Sequence, residues 1–384
     1  MKKRRILAAV LSVVFVLQAF SLHAYALSDE ELPAPSACLM EAETGKVLYE
    51  KASHDQRPCA SVTKVMTLLL VMEALDDGKI HLDDQVTASE HAASMGGSDI
   101  WLKEGETMSV DDMLKATVIA SANDAAVALA EFVAGSEDAF LAQMNEKAKT
   151  LGMNDTTFKN CNGLDEDGHV TSAYDVAVMS RELMKHQKIF DYTGTWMDSL
   201  RDGKTQLVNT NKLLKSYKGI TGLKTGTTSK AGSCISATAM RDGMHLIAVV
   251  LGASNTKDRF NSAATLLNYG FANWSLSALE VPEEAYQPLK IQNGMENEIP
   301  VTVANPGSAL VSKGKGEEVQ STVSYDEFLE VPIQKGQQVG EITYSIGDET
   351  VGSVPILAAK GIEKAELMPV FHLLLQNLFA FSDK

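Results

Sequence analysis

The chain has 384 residues, 45 % of them hydrophobic and 6 % aromatic, with a formal net charge of −16. That length holds two ordinary domains with cores of their own, and the composition excludes a disordered or fibrous chain. An acidic balance without a basic stripe excludes a nucleic-acid binder on electrostatic grounds.

Residues 1–26 read as a secretory signal peptide. Lys2, Lys3, Arg4 and Arg5 form a basic n-region, Ile6 to Leu17 is apolar but for Ser12, and Ala24-Tyr25-Ala26 is a small-x-small cleavage site. The apolar run is short of a membrane span. Cleavage removes four basic residues and leaves a charge of about −20. Cys38, Cys59, Cys161 and Cys234 remain. Export permits disulfides, but the density is far below a disulfide scaffold, so they read as mostly buried apolar fillers.

Residues 36–50 form a hairpin about Glu43-Thr44-Gly45. Ser61-Val62-Thr63-Lys64 follows, leading into the apolar run Leu68 to Met72 and stopping at Asp76-Asp77-Gly78. This is a buried helix with Ser61 at its start and Lys64 one turn later, on the same face. A serine hydroxyl needs an adjacent base, and a lysine desolvated among apolar neighbours can serve as one. Ser-x-x-Lys also occurs at Ser254–Lys257 and Ser312–Lys315, so alone it is a weak signal. Val110 to Ile119 and Ala125 to Val133 are helical, with Ser121 and Asn123 between them facing a cleft. Glu137 to Thr150 is an amphipathic helix, residues 160–168 a loop, and Ser172 to His186 a helix capped by Thr171 or Ser172. Strands Ser233 to Met240 and Met244 to Leu251 flank the turn Arg241-Asp242-Gly243, and Asp258 to Asn273 is a final helix. The fold class is therefore α+β, an antiparallel sheet covered by helices over residues 27–275.

Residues 276–360 carry short β-prone runs split by Gly and Pro, a small all-β domain. Residues 361–384 read as an amphipathic helix. Pro369, His372 and Gln376 form a narrow polar line, and Val370, Phe371, Leu374, Leu375, Leu378 and Phe379 form the apolar face. It is too short to span a bilayer and suits a membrane interface, although it lacks basic residues. The alternative is a helix packed on the β domain.

Ser61-x-x-Lys64, Ser121-x-Asn123 and Lys224-Thr225-Gly226 occur in that order, the latter two patterns once each in the chain. Singly they have ordinary readings as a helix cap, a turn residue and a solvated strand charge; jointly, behind an export signal, they do not. With Gly96-Gly97-Ser98, Asn162-Gly163-Leu164-Asp165 and Asn209-x-Asn211-Lys212, they make the chain resemble the low-molecular-mass serine D-alanyl-D-alanine carboxypeptidases of the β-lactamase/transpeptidase-like superfamily. That resemblance implies that Ser61 attacks the bond between two D-alanines of a peptidoglycan stem peptide, with Lys64 as base and Ser121 as proton relay. It also implies that Asn123, Lys224, Thr225, Gly226 and Thr227 hold the substrate and the oxyanion, and that Arg259 faces the substrate carboxylate unless it is a surface arginine. β-Lactams are then covalent inhibitors, and the terminal helix anchors the enzyme to the outer face of the cytoplasmic membrane. No metal or other cofactor is expected, since no His-Glu-x-x-His or Cys/His cluster occurs, and the scattered histidines read as structural.

Three alternatives stay open: a DD-endopeptidase or transpeptidase with the same site, a class A β-lactamase, and a non-catalytic exported scaffold. The β-lactamase needs a loop glutamate to activate water, where this chain has Thr156-Thr157-Phe158-Lys159.

Overall fold

The structure, a computed structural model, describes residues 27–28, 30–292, 294–326, 329–364 and 371. The expected signal peptide, residues 1–26, lies outside them. The chain divides into two compact units that meet at Asn273 and Trp274.

The first unit opens with strands β1 (Ser36–Glu41) and β2 (Val47–Lys51), paired antiparallel about the expected turn. Gly45 takes φ +74° there, and the Glu41 carboxylate accepts from the main-chain nitrogens of Glu43 and Thr44 at 3.0 and 2.7 Å. Helix α1 (Lys64–Asp76) is buried at every residue from Lys64 to Met72, as befits a helix apolar on all sides. Around it lie α2 (Asn123–Ala134), α3 (Glu137–Thr150) and α4 (Ala173–Leu183). Ser136 and Ser172 cap α3 and α4, each hydroxyl accepting from the main chain three residues on at 3.2 Å.

A second hairpin, β3 (Met197–Leu200) with β4 (Thr205–Val208), was not legible in the sequence, because neither strand alternates. Then come β5 (Ile220–Thr228), β6 (Gly232–Arg241) and β7 (Met244–Ala253), completing an antiparallel sheet of order β2-β1-β7-β6-β5. Helix α5 (Thr256–Asn273) follows. Ser236 pairs with Val249, three residues from Leu246, so Ser236 and Leu246 point to opposite faces. Helix α4 covers the first face, where Ser180 and Ser236 share a hydrogen bond at 2.8 Å. Helix α5 covers the second, against Leu246 and Leu39. Cover on both faces is why β7 is one nearly unbroken apolar run. Strand β5 is the sheet edge that faces the helical lobe.

In the second unit, β8 (Val301–Val303), β9 (Gln320–Tyr325), β10 (Gln338–Ile346) and β11 (Glu349–Ala358) form an antiparallel sheet of order β8-β11-β10-β9 over a core that includes Ile299, Val339, Ile342, Tyr344 and Ile356. The expected terminal helix is corrected at its start. Ile362 is buried and exchanges main-chain hydrogen bonds with Ile333, and Lys364 pairs with Gly294, so residues 361–364 belong to the β unit. The rest of that helix, save Phe371, lies outside the described residues.

A Cβ at Gly270 would fall 2.4 Å from Leu246 Cδ1 and 3.1 Å from Leu39 Cδ2. Gly270→Ala is therefore expected to cost about 1–3 kcal/mol by overpacking. In a double-mutant cycle read by urea unfolding, it should cost less when Leu246 is already Ala.

Candidate active site

Ser61 lies in a single 3-10 turn, Ala60–Thr63, and the α-helix proper begins at Lys64. The serine thus precedes the helix instead of opening it. Two glycines let main chain close on this turn. A Cβ at Gly163 would fall 2.1 Å from the Ala60 carbonyl oxygen, and one at Gly226 would fall 2.7 to 2.9 Å from Cys59 O, Ser61 N and Val62 N. The loop over residues 160–168 and strand β5 therefore clamp the serine turn between them.

Lys64 is fully buried and its ammonium donates to Ser61 Oγ at 3.0 Å, Asn123 Oδ1 at 2.5 Å and the Asn162 carbonyl at 2.7 Å. Asn123 is oriented by its own Nδ2, which donates to Gly96 O at 2.6 Å. Burial pulls the Lys64 pKa down to about 7.

Ser121 ends a π-helical turn, Ala116–Ala120, that follows the helix Val110–Lys115, and it takes φ +63°. A left-handed non-glycine residue at the end of a π turn is a strained arrangement of the kind that recurs at functional sites. Lys224, 1 % exposed, donates to Ser121 Oγ at 2.8 Å and to Thr225 O at 2.9 Å. Burial first, then the charges of Lys64 and Arg259, push the Lys224 pKa well below its ordinary value. Thr225 Oγ1 donates to Thr210 Oγ1 at 2.7 Å. The segment that carries Thr210 is pinned by Asn211 Nδ2 to Gly222 O at 2.9 Å and Asn209 Nδ2 to Thr195 O at 2.8 Å.

Arg259 is 5 % exposed, which removes the reading of a surface arginine. From the first turn of α5 it donates to Gly226 O at 3.1 Å and Thr227 Oγ1 at 3.0 Å. The nine expected residues thus form two hydrogen-bonded groups. Ser61, Lys64 and Asn123 make one. Ser121, Lys224 and Thr225, continuing along β5 to Gly226, Thr227 and Arg259, make the other. They meet where Gly226 abuts the serine turn.

Several residues of the site escape sequence reasoning. Asn162 acts through its carbonyl, which leaves no mark on residue type. Thr210 lies between two asparagines whose only signature is their spacing. His169 is no bystander: its Nε2 bonds Thr63 Oγ1, inside the serine turn, at 2.8 Å, while its Nδ1 accepts from Lys159 N at 3.1 Å. Burial lowers its pKa to about 4, so it is neutral there. All four cysteines are buried free thiols; burial pushes Cys59 up to about 12 and holds it inert.

A hydroxyl beside a buried lysine, at the junction of a helical lobe and an antiparallel sheet edge, with an all-β unit following, is the architecture of the penicillin-binding proteins. Penicillin-binding protein 5 from Haemophilus influenzae matches with a TM-score of 0.78 at 28 % identity over 88 % of this chain and 100 % of that one. The family model described as D-alanyl-D-alanine carboxypeptidase matches residues 23–255, and that of the penicillin-binding protein 5 C-terminal domain matches residues 281–364. The D-alanyl-D-alanine carboxypeptidase DacF of Bacillus subtilis is 44 % identical over 94 % of this chain and 95 % of its own length. Penicillin-binding protein D2 from Listeria monocytogenes, in its ampicillin-bound form, is 35 % identical over 62 % of this chain and 98 % of that one, with a TM-score of 0.57. The chain belongs to the serine-type D-alanyl-D-alanine carboxypeptidase family.

Gly163 combines φ +88° with that 2.1 Å approach to main chain, which has no flexible end to give way. Gly163→Ala is expected to slow acylation by penicillin about 100-fold or more through displacement of Ser61. The second-order labelling rate, beside a melting curve showing a folded protein, checks this.

Proposed function

We propose that this protein removes the terminal D-alanine from peptidoglycan stem pentapeptides through an acyl-Ser61 intermediate, and that β-lactams acylate the same serine. The observation that carries the reading is the partner set of Lys64. A neutral amine has two N–H groups and one lone pair. Asn123 Oδ1 and the Asn162 carbonyl can only accept, so they take the two N–H groups, and the lone pair falls on Ser61 Oγ, 3.0 Å away. With its pKa brought to about 7 by burial, Lys64 is neutral in a large share of molecules at neutral pH.

Ser61 Oγ attacks the carbonyl carbon of the penultimate D-alanine as its proton passes to Lys64. The carbonyl oxygen becomes the oxyanion, held by the main-chain N–H groups of Ser61 and Thr227, segments that Gly226 brings into contact. The C–N bond breaks, and Lys64 gives up its proton to Ser121 as Ser121 passes its own to the departing amine of D-alanine. One Ser121 lone pair is already engaged by Lys224, which leaves its O–H free to turn toward the substrate. Water then attacks the ester, giving one proton to the neutral Lys64, and the ester C–O bond breaks as Lys64 passes that proton to Ser61 Oγ. The substrate's terminal carboxylate sits beside Lys224, Thr225 and Thr210, and that anion favours the ammonium form of Lys224. Arg259 stiffens the end of β5 from beneath. The substrate main chain lies along the free edge of β5.

Peptidoglycan lies outside the cytoplasmic membrane. The signal sequence at residues 1–26 supports export, and the apolar run beyond Lys364 supports association with the membrane's outer surface.

Release of D-alanine from an acyl-Lys-D-Ala-D-Ala peptide tests the reading. Because Ile362 is part of the β-unit core, the soluble protein should end after Lys364. The parent should release D-alanine; Ser61→Ala should lose about a thousandfold or more, together with covalent penicillin labelling. Release that survives in Ser61→Ala would place the nucleophile elsewhere.

The pH dependence follows from a lowered lysine pKa. Below it Lys64 is an ammonium with no lone pair, so the acylation rate should rise tenfold per pH unit up to about 7 and then level off. A rate that falls as pH rises from 5 to 7 would exclude Lys64 as the base.

A further inference from the structure

Trp101 is 79 % exposed and holds φ +57°, a left-handed conformation that a bulky aromatic residue rarely adopts. Nothing about its side chain's own burial accounts for that. Its neighbours do. The buried Asp124 carboxylate accepts from Ile100 N at 3.1 Å and from Leu102 N at 2.9 Å, one on each side of Trp101. Arg201, at the tip of the β3–β4 hairpin, donates to Ile100 O at 3.0 Å and is fixed by Glu106 at 2.7 Å. The main chain on either side of this residue is thus tied down while the indole stands in water.

The same few residues tie Trp101 to the chemistry. Asn123, which holds Lys64, precedes Asp124, and its main-chain nitrogen donates to Ser98 O at 2.6 Å. Three residues of extended chain place Trp101 within roughly 11 Å of Ser98. A cleft of about 440 Å³ opens beside the indole, with Lys103, Glu104, Glu106 and Arg201 around it.

We infer that Trp101 is the floor of a glycan subsite, stacking on a pyranose ring of the sugar that carries the stem peptide. The inference rests on the peptidase reading above and extends it from the scissile bond to the far end of the substrate. A saturated sugar ring presents C–H edges to the negatively polarised indole face and hydroxyls to a charged rim, which matches an indole ringed by two cations and two carboxylates. The four amino acids between the scissile bond and the sugar reach roughly 14 Å when extended, so the sugar can lie well beyond the serine turn. Carboxylates in the rim disfavour an anionic membrane surface as the occupant. The stiff main chain has a purpose in this setting: a platform held in place loses little freedom when the sugar binds.

The test compares kcat/KM for D-alanine release from a disaccharide-pentapeptide with that from the sugar-free pentapeptide, for the parent, Trp101→Ala and Trp101→Phe. In Trp101→Ala the ratio of the two should fall roughly three- to tenfold, the worth of one aromatic stack, and Trp101→Phe should retain most of it. An unchanged ratio in Trp101→Ala overturns the subsite while leaving the peptidase intact. If the parent releases D-alanine from neither substrate, the peptidase reading falls and takes the subsite with it. A binding measurement stands apart from turnover and from folding of the alanine variant. Penicillin-blocked parent titrated with the free disaccharide should change its tryptophan emission, and Trp101→Phe should not; no change in the parent overturns the proposal.

Discussion

Everything in the catalytic unit is arranged to keep one amine dry. Lys64 Nζ is removed from water and given three oxygen partners from three stretches of chain: the serine turn, the start of α2 and the 160–168 loop. A buried ammonium is costly unless its hydrogen bonds are met, and meeting them fixes the geometry of whatever supplies the acceptors. The lysine therefore does more than the proton transfer proposed for it. It is the point at which three segments are locked into register, and its lowered pKa is a consequence of the enclosure that locks them.

The enclosure in turn depends on main chain approaching main chain. Gly163 brings the loop onto Ala60, and Gly226 brings the sheet edge onto Ser61. Each segment is then held from behind. Asp165 accepts from Thr228 Oγ1 at 2.6 Å and joins the loop to the end of β5, Arg259 braces β5 at Gly226, and His169 steadies the serine turn through Thr63. These contacts make the site a property of the junction between the helical lobe and the sheet, so it does not belong to either alone.

The three short motifs were legible because each places a reactive side chain, and reactive side chains are residue types. The buried α1 and the flanks of the β6–β7 turn were legible because their apolar patterns are long. What sequence could not show has a common cause. The Asn162 carbonyl, the clamping glycines and the left-handed Ser121 act through main-chain position, which residue identity only permits. Arg259 was ambiguous because helix periodicity in α5 does not say which face meets a strand end. The β3–β4 hairpin escapes notice because its exposed residues carry no alternation, and the second unit's last pairing reads as helix because Ile362 to Glu366 holds no Gly or Pro to separate it from the apolar run that starts at Leu367. The burial of Ile362 against Ile333 is a tertiary fact.

Two buried lysines a short distance apart show how context divides labour between identical side chains. Both are desolvated, and both pKa values fall. Lys64 is surrounded by carbonyl oxygens that cannot donate, so its neutral form keeps both N–H bonds and aims its lone pair at the one partner that can give a proton. Lys224 instead donates to a hydroxyl and a carbonyl beside the open edge of β5, where an incoming carboxylate is the strongest available partner. Substrate binding therefore bears on the two differently: an incoming carboxylate favours the ammonium form of Lys224, and it brings its own negative charge with it, so the ion pair leaves the neutral form of Lys64 to be set by burial and by its two carbonyl partners.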